Sequence, residues 1–327
     1  MHLIPEYGSH KGLNGKLLVV GGCKLYTGAP FFAAMSSLRS GIDMAFILCT
    51  EHASIPIKSY SPDMMTNPCL PELESSATEE QIKIAQEQAL STFKSYLPKI
   101  HCCSIGSGLG TDPIRLDCIR EFIFMLKENE IPCVIDADAT RIVSSNPDVF
   151  IGYKKCIITP NQMEFMRMQK ALTPSISDQN ESLMQIAKLL DGPTILKKGE
   201  IDIVCDGTVC FPFHFPGSPR RCGGIGDILS GVTSTFLCWI NKLKISVKKE
   251  DVSFESDITQ RFQVNPTVLA CYASICIVRK ACELTFLEKG RGMIASDILV
   301  NISKALSLCE EEEFHFSDNL TEKEKSE

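Results

Sequence analysis

No run of about 18 consecutive apolar residues occurs in the 327-residue chain, so no membrane-spanning helix is expected. The sequence also lacks G-x-x-x-x-G-K-[ST], which excludes a P-loop nucleotide site. It has neither H-E-x-x-H nor a C-x-x-C pair, so no zinc site is signalled. Histidine is scarce, with six scattered residues, and no Ser-His-Asp or Cys-His set can be singled out. The net charge is -7 with no basic patch, which argues against a nucleic-acid partner. The opening Met1-His2-Leu3-Ile4-Pro5-Glu6 has neither the basic nor the apolar region of a secretory signal. A cytoplasmic location is therefore expected, with a mitochondrial form from another start site left open. The 16 cysteines sit mostly in apolar runs, as at Cys102, Cys103, Cys133, Cys156 and Cys276. The chain is too long for a disulfide scaffold, so buried reduced thiols are the expectation.

What is present is organised around Arg220-Arg221-Cys222-Gly223-Gly224-Ile225-Gly226-Asp227. Three glycines crowd a turn, and Ile228, Leu229, Val232, Phe236 and Ile240 then follow at helical spacing. Gly223 to Gly226 should therefore open a helix. The first amides of a helix lack internal acceptors, and the helix dipole adds positive charge there. Glycine lets an anion approach, so the turn reads as an anion hole. Asp227 sits at its lip, where a carboxylate suits a base taking a proton from an attacking hydroxyl. A phosphate cradle with an adjacent base is what phosphoryl transfer to an alcohol needs. The plainer reading makes Asp227 a helix-start residue.

The remaining pattern is that of an α/β protein with 44% hydrophobic and 22% charged residues. Lys16–Gly22 reads as a buried strand, Phe31–Arg39 as a helix and Met44–Cys49 as a second strand, which together make a βαβ unit. Asn67–Ser76 looks like a loop, and Thr78-Glu79-Glu80-Gln81 a capping box. Strands are expected at Ile100–Ile105, Val134-Ile135, Cys156–Ile158 and Ile195-Leu196, and a helix from Asp112-Pro113 to Asn129. Asp206-Gly207 between apolar runs signals a hairpin with a two-residue loop. Lys242–Gln263 reads as a charged surface excursion. A buried helix follows Asn265-Pro266, and a last helix spans about Ser296–Leu308. The expected organisation is one domain over residues 1–308 and an acidic disordered tail over 309–327.

Polar or glycine-rich turns recur after the strands, at Gly106–Gly110, Asp136–Asp138, Thr159–Glu164 and Lys198–Asp202. In an open α/β sheet ligands gather at the carboxyl ends of strands, so these turns are expected to share a cleft with Gly223–Asp227. Taken singly they stay open. Gly106–Gly110 is a weak dinucleotide fingerprint, because the third glycine is misplaced. Asp136 and Asp138 could hold a metal through water, or Asp138 could start a helix. Asn161 and Glu164 have capping-box spacing. Lys198 suits a phosphate or a solvated loop, while Arg220 and Arg221 suit anion contact.

In order along the chain come His10-Lys11-Gly12, V-V-G-G-C-K-L-Y-T-G-A-P, Y-S-P-D-M-M, G-S-G-L-G, V-I-D-A-D, I-T-P-N-Q-M-E-F, K-K-G-E-I-D and R-R-C-G-G-I-G-D-I-L-S-G. This series resembles the eukaryotic ATP-dependent NAD(P)H-hydrate dehydratases, from about His10 to Leu308. The resemblance implies a ribokinase-like fold, a central mostly parallel sheet with helices on both faces. It implies that the S epimer of hydrated NADH or NADPH is phosphorylated by ATP with Mg²⁺, and that phosphate is then eliminated. It implies Asp227 as the catalytic residue, also touching the hydrate. Gly108 and Asn161, Gln162, Met163, Glu164, Phe165, Met166 and Arg167 match hydrate-binding positions. Lys198, Gly199, Glu200, Ile201 and Asp202, with Gly217, Ser218, Pro219, Arg220, Arg221, Cys222, Gly223, Gly224, Ile225 and Gly226, match ATP-binding positions. An epimerase of the hydrated dinucleotides is the implied functional partner, and a homo-oligomer is compatible. Three features depart from the family: Ser107 stands where proline is usual, Ala139-Thr140-Arg141 replaces Gly-Leu and an aromatic residue, and the Lys242–Gln263 excursion stands where a short loop is expected. A vitamin-alcohol kinase of the same fold needs only the glycine-aspartate turn. A non-catalytic nucleotide sensor would not need Asp227 at all.

Overall fold

The strand-forming runs are apolar at successive positions rather than alternately, and the computed structural model shows why. Strand side chains point to opposite faces in turn, and here both faces are covered. Leu17 and Val19 enter one core layer while Leu18 and Val20 enter the other. The structure describes residues 10–242 and 265–311. The excursion expected after Lys242 and most of the expected acidic tail lie outside the described residues.

In chain order the strands are β1 (Lys16–Val20), β2 (Met44–Cys49), β3 (Met65–Pro68), β4 (Cys102–Ile105), β5 (Cys133–Ile135), β6 (Cys156–Ile158), β7 (Thr194–Lys197), β8 (Asp202–Cys205) and β9 (Cys210–Phe213). They form one sheet in the order β3-β2-β1-β4-β5-β6-β7-β8-β9. Pairing is parallel from β3 to β7, and β8 and β9 add antiparallel. Helices are α1 (Gly28–Arg39), α2 (Glu51–Tyr60), α3 (Glu79–Tyr96), α4 (Pro113–Glu128), α5 (Thr140–Ser145), α6 (Gln162–Leu172), α7 (Gln179–Leu190), α8 (Ile225–Lys242), α9 (Pro266–Lys289) and α10 (Ala295–Glu311).

On one face α1, α8, α9 and α10 pack over the sheet, contributing Ala33, Val232, Ile275 and Ile298. On the other, α3, α4 and α7 contribute Phe93, Phe122 and Ile186, with the Phe93 and Phe122 rings stacked 4.0 Å apart. The helix α8 is buried from Ile228 to Ile240, so its hydroxyls need partners. Ser230 meets Ser104 of β4 at 2.8 Å, and Thr233 donates to Ser274 of α9 at 2.9 Å. Gly231 lets α1 and α8 touch: a Cβ there would stand 2.0 Å from the Ala33 carbonyl oxygen. These contacts fix the start of α8 over the carboxyl edge of the sheet.

Three local expectations change. The loop expected over Asn67–Ser76 overlaps the end of an edge strand, β3 (Met65–Pro68), which pairs with β2. The Asp206-Gly207 hairpin has a four-residue loop, because the Asp206 carboxylate accepts from the amides of Thr208 and Val209 and the strands pair only from Cys205 and Cys210 outward. That cross-strand pairing joins Cys205 and Cys210 as a disulfide, so not every cysteine is reduced; the other described cysteines are free thiols. The capping boxes at Thr78–Gln81 and Asn161–Glu164 both form.

Candidate active site

The chain runs from β1 to β2 to β3 in one direction, then returns past β1 to lay β4 on its other side. The carboxyl ends of β1 and β4 are therefore a topological switch point, where the following loops diverge and leave a crevice. The loops meet closely at its base. The Gly22 amide donates to the Ser107 carbonyl at 3.0 Å, and a Cβ on Gly21 would stand 2.1 Å from that same oxygen. Gly106 is pressed equally hard on the Asp136 carbonyl. Gly108, at φ +62°, faces the Tyr26 carbonyl just before α1 and the Ala29 methyl in its first turn.

The turn expected to hold an anion, Gly223–Gly226, lies at the start of α8. Gly224 has φ +93°, a conformation that favours glycine. A Cβ there would meet Ala295 at 2.8 Å and the Phe32 ring at 3.1 Å. Gly223 faces open space. Gly226 lies near Lys198, whose Nζ would be 3.5 Å from an added Cβ.

Charge converges on Lys198, whose side chain is 15% exposed. Its ammonium donates to Asp136 Oδ1, which also accepts from the Thr159 hydroxyl at 2.9 Å. Burial would depress the lysine, but Asp136, Glu164 and Asp227 outweigh it and raise its pKa. Asp227 is partly buried. Burial and then the Asp136 charge push its carboxyl up from 3.8 to about 6, against the pull of Ser107, Lys198 and its own amide. The Ser107 hydroxyl is buried and makes no well-formed hydrogen bond, which leaves it beside the carboxylate as a donor. Burial, and next Asp136, also raise Glu164, against Lys198, the Asn161 amide and Arg167. Lys198 thus bonds one carboxylate and feels the charge of two more, Glu164 and Asp227.

The other expected site residues fall in two groups. Asn161, Gln162, Met163 and Met166 are exposed on the first turns of α6. Glu164 folds back to cap that helix, accepting from the Asn161 amide at 2.9 Å. Arg167 is half-buried, whereas Phe165 is fully buried with Lys197 4.8 Å above its ring. On the β7–β8 side, Lys198–Asp202 is a tight turn. The Gly199 amide donates to Asp202 Oδ1 at 2.9 Å, and Ile201 is exposed with Glu200. Gly217, at φ +63°, leads past Ser218 and exposed Pro219, and the Ser218 hydroxyl donates to the Arg220 carbonyl at 2.6 Å. Arg220 and Arg221 donate to the Met293 and Gly199 carbonyls at 3.1 and 2.8 Å. They therefore brace the turn. Cys222 and Ile225 pack on the core below it. Asp138 accepts from the Gly110 amide at 2.8 Å and so holds the glycine loop.

Arg279 went unnoticed in the sequence. From α9 it pairs with Asp202 at 2.7 Å and donates to the Gly199 and Glu200 carbonyls. It ties the β7–β8 turn together, and its charge alone did not mark it, because Lys280 and Glu283 follow it in the same helix. Among the described residues, no three His, Cys, Asp or Glu side chains form a metal cage.

A mostly parallel sheet closed by an antiparallel hairpin, with a glycine turn and an aspartate opening a buried helix at its carboxyl edge, is a ribokinase-like fold. An Enterococcus faecalis structure described as a ribokinase-like superfamily protein superposes with a TM-score of 0.66, covering 93% of this chain and 91% of that one at 18% identity. A family model for NAD(P)H-hydrate dehydratase matches residues 17–304, and the chain belongs to that family. It is 38% identical over 304 residues to the ATP-dependent (S)-NAD(P)H-hydrate dehydratase of Vitis vinifera, covering 92% of this chain and 83% of the relative. The Bacillus subtilis ADP/ATP-dependent NAD(P)H-hydrate dehydratase, co-crystallised with ATP/Mg²⁺, shares the fold with a TM-score of 0.61 at 19% identity, over 93% of this chain and 94% of that one.

Proposed function

We infer that this chain uses ATP to dehydrate the S epimer of hydrated NADH or NADPH. The observation that carries the chemistry is Asp227 at the lip of Gly223–Gly226 with its pKa raised to about 6. A carboxylate of that strength is ionised at neutral pH yet basic enough to take a proton from a hydroxyl. The ring hydroxyl of the hydrate gives its proton to Asp227 as its oxygen attacks the terminal phosphorus of ATP. The first amides of α8 stabilise the transferring group, with Lys198 near Gly226. Phosphorylation converts hydroxide, a poor leaving group, into phosphate, a good one. The ring nitrogen lone pair expels it, and loss of a proton from the adjoining ring carbon restores the double bond. NAD(P)H, ADP and phosphate result.

Mg²⁺ is usually held by one or two carboxylates together with substrate phosphates. Asp136, beside Lys198 and Asp227, fits that mode and would hold the ion through water, whereas both Glu164 oxygens are taken by Asn161 in the helix cap. When bound, the ion neutralises charge on the transferring phosphates. A functional partner is an epimerase that converts the R hydrate to the S form.

The test is to mix purified protein with the S hydrate, ATP and Mg²⁺ and follow NADH absorbance. Recovery that requires ATP is expected. A well-folded protein giving no recovery would overturn the reading.

A further inference from the structure

The ATP-side residues, Lys198–Asp202 and Gly217–Cys222, lie toward β7–β9. The opposite wall of the crevice has no role assigned so far, and it is aromatic. The Phe32 ring stands against Gly224 of the anion hole. Phe31 lies 5.9 Å from Phe32 and meets Tyr60 of α2 edge-on at 5.4 Å. At the far end the Tyr60 and Thr27 hydroxyls are 2.6 Å apart. The row is only partly covered: Phe31 and Phe32 are half-buried, and Tyr60 is 46% exposed.

The row also belongs to the reaction centre by connection. The first turn of α1 sits between the two glycine turns of the site. Ala29 packs on Gly108 and Phe32 on Gly224, while Ser107, next to Gly108, lies beside Asp227. The loop after β4, the start of α1 and the start of α8 thus meet beside Asp227. A reacting hydroxyl must lie between Asp227 and the anion hole, so the ring that carries it extends toward α1.

We propose that Phe32, Phe31 and Tyr60 form the acceptor-side wall against which the hydrated nicotinamide ring packs, making them specificity-determining residues. The half-saturated ring presents apolar CH groups that suit aromatic faces. The Thr27–Tyr60 hydroxyl pair supplies hydrogen bonding at the polar edge. This inference rests on the dehydratase reading above.

The experiment compares wild type with Phe31→Ala and Tyr60→Ala. Steady-state constants are measured for ATP, for the S hydrate of NADH, and for the truncated hydrate that lacks the adenylyl half. We expect the KM for both hydrates to rise by about tenfold, an aromatic contact's worth of binding, with the KM for ATP unchanged. An unchanged hydrate KM overturns the proposal. So does a rise confined to the full dinucleotide, which would place the adenosine half on this wall, or a rise in the KM for ATP. Tyr60→Ala, at the more exposed site, decides the matter if Phe31→Ala fails to fold. NADH binding, read from the fluorescence of its reduced ring, requires no turnover and should weaken in the same variants. An inactive wild type would thus sink the dehydratase reading alone, while unaltered NADH affinity in the variants would sink the wall.

Discussion

Asp227→Asn should abolish activity and at the same time make the protein more stable. The folded protein raises the Asp227 pKa from 3.8 to about 6, which corresponds to about 3 kcal/mol of disfavoured ionisation. The sign follows from proton linkage. Between those two values the folded state binds more protons at this site than the unfolded state, so stability contributed by the protonated acid is lost as pH rises. Above about pH 6 the full cost of holding a charged carboxylate is present. Asparagine resembles the protonated acid in shape and never ionises. The variant should therefore exceed wild type by about 3 kcal/mol near pH 8, by roughly half that near pH 5, and by little near pH 4. For a chain of this size that is a melting-temperature gain of roughly 5 °C at the alkaline end. Thermal unfolding of both proteins across this pH range measures the gain, while turnover should fall about 100-fold or more. A pH-independent difference, or a variant less stable than wild type near pH 8, would refute the claim that burial and Asp136 strain this carboxylate. A stable variant with normal turnover would refute its role as the base.

Three further expectations use neighbouring contacts. Ser107→Ala removes a group that favours ionised Asp227, so the acid limb of the pH–rate profile should move upward; an interaction of about 1 kcal/mol corresponds to somewhat under one pH unit. Arg279→Lys should raise the KM for ATP and lower stability, because one ammonium cannot replace a guanidinium that pairs with Asp202 and also reaches the Gly199 and Glu200 carbonyls; Arg279→Ala, which leaves Asp202 unpaired, should cost about 3–5 kcal/mol in denaturant unfolding. Gly224→Ala should lower the melting temperature, since its φ of +93° and its contacts with Ala295 and Phe32 leave no room for a methyl group, whereas Gly223→Ala should melt normally because nothing lies within 4 Å, and should lose kcat through crowding of the phosphate.

The features legible in the sequence are those written locally. Glycine turns, capping boxes and the apolar runs of a doubly covered sheet each announce themselves within about ten residues. The ordered series of turns then identified the strand ends that face the crevice. The unread elements have weak local signals: α2 carries Pro56 inside it, and β3 is a four-residue edge strand ending in Pro68. The unread chemistry is non-local. Lys198 finds Asp136 across 62 residues and Arg279 finds Asp202 across 77, and no spacing rule connects either pair. The first of these distant pairs bears on the acidity of Asp227. Asp227 could be named from its turn alone, but its acidity is set first by burial and then by Asp136 at the end of β5, which raise its pKa against the pull of Ser107 after β4 and Lys198 after β7. Strand order makes them neighbours: β4, β5, β6 and β7 lie side by side and parallel, so their carboxyl ends open on one edge, and α8 packs on β4 and β5 so that its first turn reaches that edge. The sequence motif therefore supplies the carboxylate, and the topology supplies the electrostatic environment that raises its pKa.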